Sequence, residues 1–149
     1  MDNIFIAVII IMAILLVALI VLLITRRPGE VGIDEMEGHE FEHFCAKMLE
    51  EMGFIDVKVT KGSGDFGVDI LAEKDGISYA FQCKCYDKPV GVKAVEEIYA
   101  GRDYYERMVG CVITNQYFTQ PAVDMAKKLK IMLWDRDYIN FSDTDIFKN

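Results

Sequence analysis

The sequence has little positive charge. Its 16 Lys and Arg residues stand against 24 Asp and Glu residues, which gives a formal net charge of −8. Proteins that coat nucleic acid without specificity usually carry a basic balance, because contacts to phosphate supply much of their affinity. The composition therefore argues against that class. A polyanion would have to meet a local patch, and five lysines surround one glycine-rich stretch: Lys58, Lys61, Lys84, Lys88 and Lys93.

The spacing of the cysteines and histidines does not indicate a disulfide framework or a zinc site. The chain has four cysteines, Cys45, Cys83, Cys85 and Cys111. Cys83 and Cys85 lie two apart on a predicted strand and cannot easily bond each other, so reduced, buried thiols are expected. His39 and His43 lie four apart on a predicted helix, and a zinc site would need further ligands from a distant strand. We therefore expect both histidines on the surface.

A cleaved signal peptide is not indicated, because no Lys or Arg precedes the first apolar run and no A-x-A site follows it. From Ile4 to Ile24 the run contains 21 apolar residues. A helix of that length spans the roughly 30 Å hydrocarbon core of a bilayer. We expect a tail over residues 1–3 and one N-terminal transmembrane helix over residues 4–24. Arg26 and Arg27 follow the run directly, which by the positive-inside rule places the next domain in the cytoplasm.

The remaining chain is expected to form a linker over residues 25–36, one domain over residues 37–140 and a C-terminal tail over residues 141–149. Apolar periodicity and turn residues predict the element order α-β-β-β-α-β-α-β. The predicted helices cover 37–53, 91–108 and 119–130, and the predicted strands cover 56–60, 67–74, 77–86, 110–115 and 131–135. Tight turns make the first three strands an antiparallel meander. This order predicts an α/β fold with a mixed β-sheet flanked by helices.

Two polar residues share one face of the third predicted strand, in the stretch "FQCKCY". Alternation places Gln82 and Lys84 on one face, and the neighbouring strand carries Asp69. Carboxylate and amide oxygens suit a hard cation such as Mg²⁺, which keeps several waters. A lysine beside the cation can orient or deprotonate one of these waters, since the nearby positive charge lowers the pKa of the lysine ammonium group. These residue types suit hydrolysis of a phosphodiester.

Simpler interpretations stay open for several of these residues. Asp65 follows Gly64 and is better explained as a turn former than as a ligand. Lys84 would also suit a solvated edge lysine, although that leaves Gln82 unexplained. Glu42 lies beside the apolar stripe of the first domain helix, so it is either a further metal ligand or a plain surface acid.

The sequence from Met36 to Ile139 resembles the catalytic domain of Mrr-type (type IV) restriction endonucleases. The resemblance rests on Phe41-Glu42, on G-x-G-D-x-G-x-D at Gly62 to Asp69, on Q-x-K at Gln82 to Lys84, and on "PVGVKAV" and "ITNQYFT" further on. This family is a branch of the PD-(D/E)xK nuclease fold in which glutamine replaces the second acid.

The resemblance implies a role for each motif residue. Asp69 would be the principal metal ligand, Gln82 would occupy the second ligand position and Lys84 would be the catalytic lysine. Glu42 would be an auxiliary acid and metal ligand. It also implies Mg²⁺ or Mn²⁺ as cofactor, DNA as substrate and a homodimer, because a duplex has two strands to cut. Enzymes of this type usually carry a DNA-recognition domain before the nuclease domain, where this sequence has the apolar run and linker.

Two main hypotheses follow. The first is a membrane-anchored, metal-dependent DNA endonuclease that acts in restriction or defence. The alternative is a non-cleaving nuclease-fold module that binds DNA or assembles at the membrane. A weaker third interpretation is an RNA nuclease, because metal-and-lysine chemistry does not itself distinguish the two sugars.

Overall fold

The computed structural model describes the backbone of residues 2–25, 32–62, 64 and 66–140. The chain divides into two units, Met1–Val31 and Gly32–Asn149. Asp65, half of the expected linker (residues 26–31) and the expected C-terminal tail lie outside the described residues.

The first unit contains one helix, α1 (Asp2–Thr25). Its side chains are described for residues 8–18 and 20. Large apolar side chains among them are exposed, and Met12 is 63% accessible. Over the residues that the structure describes, no helix reaches the length and hydropathy needed to cross a bilayer. The transmembrane helix expected over residues 4–24 therefore stays a prediction.

Among its described residues, the second unit contains five strands and three longer helices in the order predicted from the sequence, and residues 136–140 are also helical. The strands and longer helices are α2 (Gly38–Glu51), β1 (Ile55–Val59), β2 (Ile70–Lys74), β3 (Ile77–Lys84), α3 (Val92–Tyr104), β4 (Val109–Thr114), α4 (Gln120–Leu129) and β5 (Met132–Trp134). Gly53, with φ of +85°, follows the end of α2, as expected for a helix C-terminus. The Thr119 hydroxyl caps α4 by accepting a hydrogen bond from the Ala122 backbone N–H at 3.4 Å.

The strands form one mixed sheet in the order β1-β2-β3-β4-β5. The strands β1, β2 and β3 pair antiparallel, which confirms the predicted meander. The strands β4 and β5 join in parallel, each after a helix that crosses over the sheet. The predicted mixed sheet flanked by helices is thus confirmed.

The helices cover both faces of this sheet and create two cores. On one face, α2 buries Phe41 and Leu49 against Phe81 of β3. On the other face, α3 and α4 bury residues such as Ile98 against Ala80 of β3. Successive residues of β3 therefore point into different cores, as the alternation in the sequence predicts.

Two element boundaries differ from the sequence prediction by more than two residues. The strand expected from residue 67 begins at Ile70. Phe66 (φ +52°) and Gly67 (φ +77°) form a turn, and a backbone with positive φ cannot pair as an extended strand. The helix expected to reach residue 108 ends at Tyr104, and Glu106 follows in the left-handed region at φ +52°. The first difference brings the glycine-rich turn directly before Asp69.

Candidate active site

The candidate site forms where the start of β2 meets the end of β3. The antiparallel register pairs Ile70 with Phe81. One residue earlier, the Asp69 backbone N–H donates to the Phe81 carbonyl at 2.8 Å. The Asp69 carboxylate Oδ2 accepts from the Cys83 backbone N–H at 2.6 Å. The structure therefore brings Asp69 alongside the Gln82–Lys84 segment, as the sequence predicted.

Gln82 is a buried polar residue on the α3 face of the sheet, with 2% of its surface accessible. Its amide nitrogen Nε2 donates to Glu97 Oε2 on α3 at 2.7 Å. Its amide oxygen Oε1 is buried and has no hydrogen-bond partner among the described residues. An unmatched buried acceptor is costly, so this oxygen is a candidate ligand atom.

Lys84 points to the same carboxylate. Its Nζ donates to Glu97 Oε2 at 2.9 Å, and its side chain is 19% exposed. Burial, the largest influence, acts to lower the pKa of Lys84, but the hydrogen bond and charge of Glu97 outweigh it and raise that pKa above its ordinary value. The charge of Asp69 adds a smaller effect in the same direction. Lys84 is therefore a charged hydrogen-bond donor to Glu97. The lowered pKa expected from the sequence depends on a bound cation and stays a prediction.

Glu97 was not among the residues singled out from the sequence. Burial acts to raise the pKa of Glu97, but hydrogen bonds from Lys84 and Gln82 outweigh it and lower that pKa. One signal in the sequence pointed to this residue. Glu97 lies three positions after Ala94 and four before Gly101, both buried, so it is an acid on the inward side of α3.

Tight backbone approach fixes α3 against the turn that leads to Asp69. A Cβ atom added to Gly101 would lie 2.5 Å from the Phe66 carbonyl oxygen and 2.6 Å from Val68 Cγ2. A Cβ atom at Gly67 would lie 2.9 Å from Glu97 Cβ. Glycine at both positions thus allows the helix that carries Glu97 to touch the loop that carries Asp69.

Glu42 occupies the α2 layer, which covers the other face of the sheet from Glu97. Its carboxylate Oε2 lies 3.0 Å from His39 Nδ1, and its side chain is 22% exposed. The pKa of the Cys83 thiol is raised. A hydrogen bond with Cys45 and burial raise this pKa most, and the negative charges of Asp69 and Glu42 raise it further. The position of Glu42 therefore leaves its expected role as a metal ligand untested.

The histidines and cysteines are of the residue types that ligate zinc. His39 and His43 are exposed, with their Nε2 atoms 3.2 Å apart. All four cysteines are free thiols. Within the described part of the chain, no group of three or more His, Cys, Asp and Glu side chains could hold a metal ion. Oxygen donors are nevertheless present in the Asp69 carboxylate and the unmatched Gln82 Oε1, and both types suit a hard cation that retains waters.

The family model Mrr_cat, described as restriction endonuclease, matches residues 33–140. The chain belongs to this restriction endonuclease family. The Mrr-type resemblance seen in the sequence is thereby confirmed. No curated protein matches this chain.

Solved structures share the fold. A protein of unknown function, AF1548, is 28% identical with a TM-score of 0.56 over 65% of this chain and 57% of its own. The DNA modification-dependent restriction endonuclease AspBHI is 18% identical with a TM-score of 0.51 over 71% of this chain and 34% of its own. The MspJI restriction endonuclease, in complex with a 27-mer oligonucleotide, is 16% identical with a TM-score of 0.54 over 78% of this chain and 32% of its own. This chain therefore corresponds to about a third of the two endonucleases.

Proposed function

We propose that this chain is a divalent-metal-dependent endonuclease that hydrolyses phosphodiester bonds of DNA. The observation that carries the proposal is the buried, unmatched Oε1 of Gln82. The Gln82 amide nitrogen shares the Glu97 carboxylate with the Lys84 ammonium, and the backbone N–H of the next residue, Cys83, donates to the Asp69 carboxylate. Evolutionary decay of a site would be expected to remove such a costly arrangement, because an apolar residue would fill the same space without an unmatched acceptor.

The side chains have distinct roles in this proposal. Asp69 and Gln82 would hold the cation through oxygen atoms, and Glu42 would contribute from the α2 side, directly or through water. Bound Mg²⁺ or Mn²⁺ would acidify a water and neutralise charge on the phosphate. Lys84 would donate hydrogen bonds to the attacking water or to a phosphate oxygen, as its charged state in the structure allows.

DNA is the proposed substrate because of the family and because of the local lysines. Lys58, Lys61, Lys88 and Lys93 are exposed and available to phosphates despite the acidic balance of the whole chain. A homodimer would supply two sites for the two strands of a duplex. Restriction or defence is the proposed role.

Membrane anchoring forms a separate part of the proposal. The helix α1 contains only apolar residues from Ile4 to Ile24, and its described apolar side chains are exposed. A helix that is apolar on all sides favours lipid as its surroundings. Arg26 and Arg27 favour a single-pass orientation with the nuclease domain in the cytoplasm.

Cleavage assays with the full-length chain in mild detergent test the catalytic part. We expect nicking and then linearisation of supercoiled plasmid with Mg²⁺ or Mn²⁺, and none with EDTA. Methylated and unmethylated plasmids reveal a preference for modification, and a matched RNA duplex separates a DNA nuclease from an RNA nuclease. Binding of DNA without cleavage of any substrate would overturn the proposal in favour of the non-cleaving module.

Fractionation tests the anchor independently. The full-length chain should sediment with membranes, resist extraction by high salt or alkaline carbonate, and enter solution with detergent. A protease added to the cytoplasmic side should remove the nuclease domain. Release by salt alone would contradict a spanning helix, and protection of the domain from that protease would contradict the orientation.

A further inference from the structure

Glu97 connects the two motif residues of β3 through one oxygen atom. Its Oε2 lies 2.7 Å from Gln82 Nε2 and 2.9 Å from Lys84 Nζ. Its second oxygen, Oε1, lies 3.7 Å from Lys93 Nζ, one turn earlier on α3. A carboxylate is an acceptor only, so both residues of β3 must present donors to it.

This contact decides which end of the Gln82 amide faces the site. The two ends of an amide have nearly the same shape, and hydrogen bonding distinguishes them. If the amide were reversed, Oε1 would lie against the Glu97 carboxylate, and two acceptors would meet in a buried position. Glu97 therefore selects the orientation in which Nε2 faces α3 and Oε1 faces away from Glu97, without a partner among the described residues.

We infer that Glu97 is a positioning residue: its carboxylate aims the Gln82 oxygen at the cation site and holds the Lys84 ammonium beside it. This inference rests on the proposed function. It also explains the residue type at position 82. A glutamate there would place a second carboxylate within hydrogen-bonding distance of Glu97, whereas glutamine offers the donor that Glu97 requires.

An exchange of the two residue types tests the inference. The variants are Glu97→Gln, Gln82→Glu and the double exchange Gln82→Glu/Glu97→Gln, each in the full-length chain. Glu96→Gln is the matched control, because Glu96 is the exposed neighbour on the same helix and loses the same charge. Five quantities are measured: kcat and KM on plasmid DNA, Mg²⁺ affinity by calorimetry, the unfolding temperature without metal, and the NMR signal of the Gln82 side-chain amide.

Glu97→Gln should lower kcat or Mg²⁺ affinity about 10- to 100-fold, the usual effect of losing a partner of a metal ligand. The KM for DNA should stay the same, since no DNA contact is removed. The Gln82 amide signal, assigned by its absence in Gln82→Glu, should exchange slowly in the wild-type chain and fast in Glu97→Gln. Glu96→Gln should match the wild type.

Gln82→Glu should lower the unfolding temperature without metal, because two carboxylates then face each other, and the double exchange should recover most of that loss. Wild-type kcat, Mg²⁺ affinity and amide exchange in Glu97→Gln would overturn the inference, as would a double exchange no more stable than Gln82→Glu. If the wild-type chain cuts no DNA and binds no Mg²⁺, the proposed function fails and the inference about a cation site fails with it. If the chain binds Mg²⁺ without cutting, only the proposed function fails, and the affinity and amide measurements still decide the inference.

Discussion

The carboxylate of Asp69 accepts a hydrogen bond from the backbone N–H of Cys83, the residue between Gln82 and Lys84. The contact joins the turn before β2 to the end of β3 at 2.6 Å. It extends the β2–β3 pairing by one side-chain bond, so that the acid and the Gln82–Lys84 pair are held at one place in the sheet. The negative charge of the same carboxylate also contributes to the raised pKa of Lys84.

Asp69→Asn should lose Mg²⁺ binding while the fold is retained. The asparagine side-chain oxygen can still accept from the Cys83 N–H, but the negative charge that attracts the cation is gone. Isothermal calorimetry with Mg²⁺ measures this effect. Asp75→Asn is the matched control, because Asp75 is exposed in the β2–β3 turn. An unchanged calorimetric signal in Asp69→Asn would refute the assignment of Asp69 as a ligand.

Gly101→Ala should destabilise the domain by about 1–3 kcal/mol, the typical cost of forcing an extra carbon into a packed contact. The new methyl group would press on the Phe66 carbonyl, a backbone atom that cannot rotate away. Urea unfolding measures the loss, and cleavage should fall with it because the turn before Asp69 is displaced. Gly38→Ala is the control, because a Cβ atom there meets nothing within 4 Å. Equal stability of Gly101→Ala and the wild type would contradict the tight contact.

The ion pair of Asp34 with Arg136 should make the free energy of unfolding of the domain decrease in acid. The guanidinium of Arg136 donates to Asp34 and, together with the Asn115 amide at 3.1 Å, holds the pKa of Asp34 below its ordinary value. A lowered folded-state pKa contributes stability that is complete above the ordinary Asp pKa of about 4 and is lost as the pH falls through the lowered value.

Urea unfolding of the wild type and Asp34→Asn at neutral pH and near pH 3 measures this dependence. The wild type should be more stable at neutral pH, and the two curves should converge in acid. Glu35→Gln removes the neighbouring charge and serves as control. A difference between the wild type and Asp34→Asn that stays constant across this range would contradict the ion pair with Arg136.

Much of the fold followed from local patterns. Apolar periodicity and turn residues gave every element of the nuclease domain in the correct order. The strand alternation placed Gln82 and Lys84 together on one face. Both are short-range properties of the chain, so the sequence carries them directly.

The remaining features depend on contacts between distant residues. Glu97 lies 15 residues from Gln82, and only the packing of α3 on β3 brings the two together. The turn at Phe66 and Gly67 packs closely against α3, and β2 begins only after it, at Ile70. The position of Glu42 likewise depends on which face of the sheet α2 covers, and apolar periodicity alone does not predict that face.

The most direct test of the nuclease proposal is the rate of Mg²⁺-dependent plasmid cleavage by the full-length chain and its Lys84→Ala variant, measured side by side. Lys128→Ala, which removes an exposed lysine of α4, is the control. We predict that the wild type and Lys128→Ala cut at similar rates and that Lys84→Ala is slower by at least about 100-fold, with its fold intact by circular dichroism. An uncut plasmid with the wild type, or wild-type cleavage by Lys84→Ala, would contradict the account.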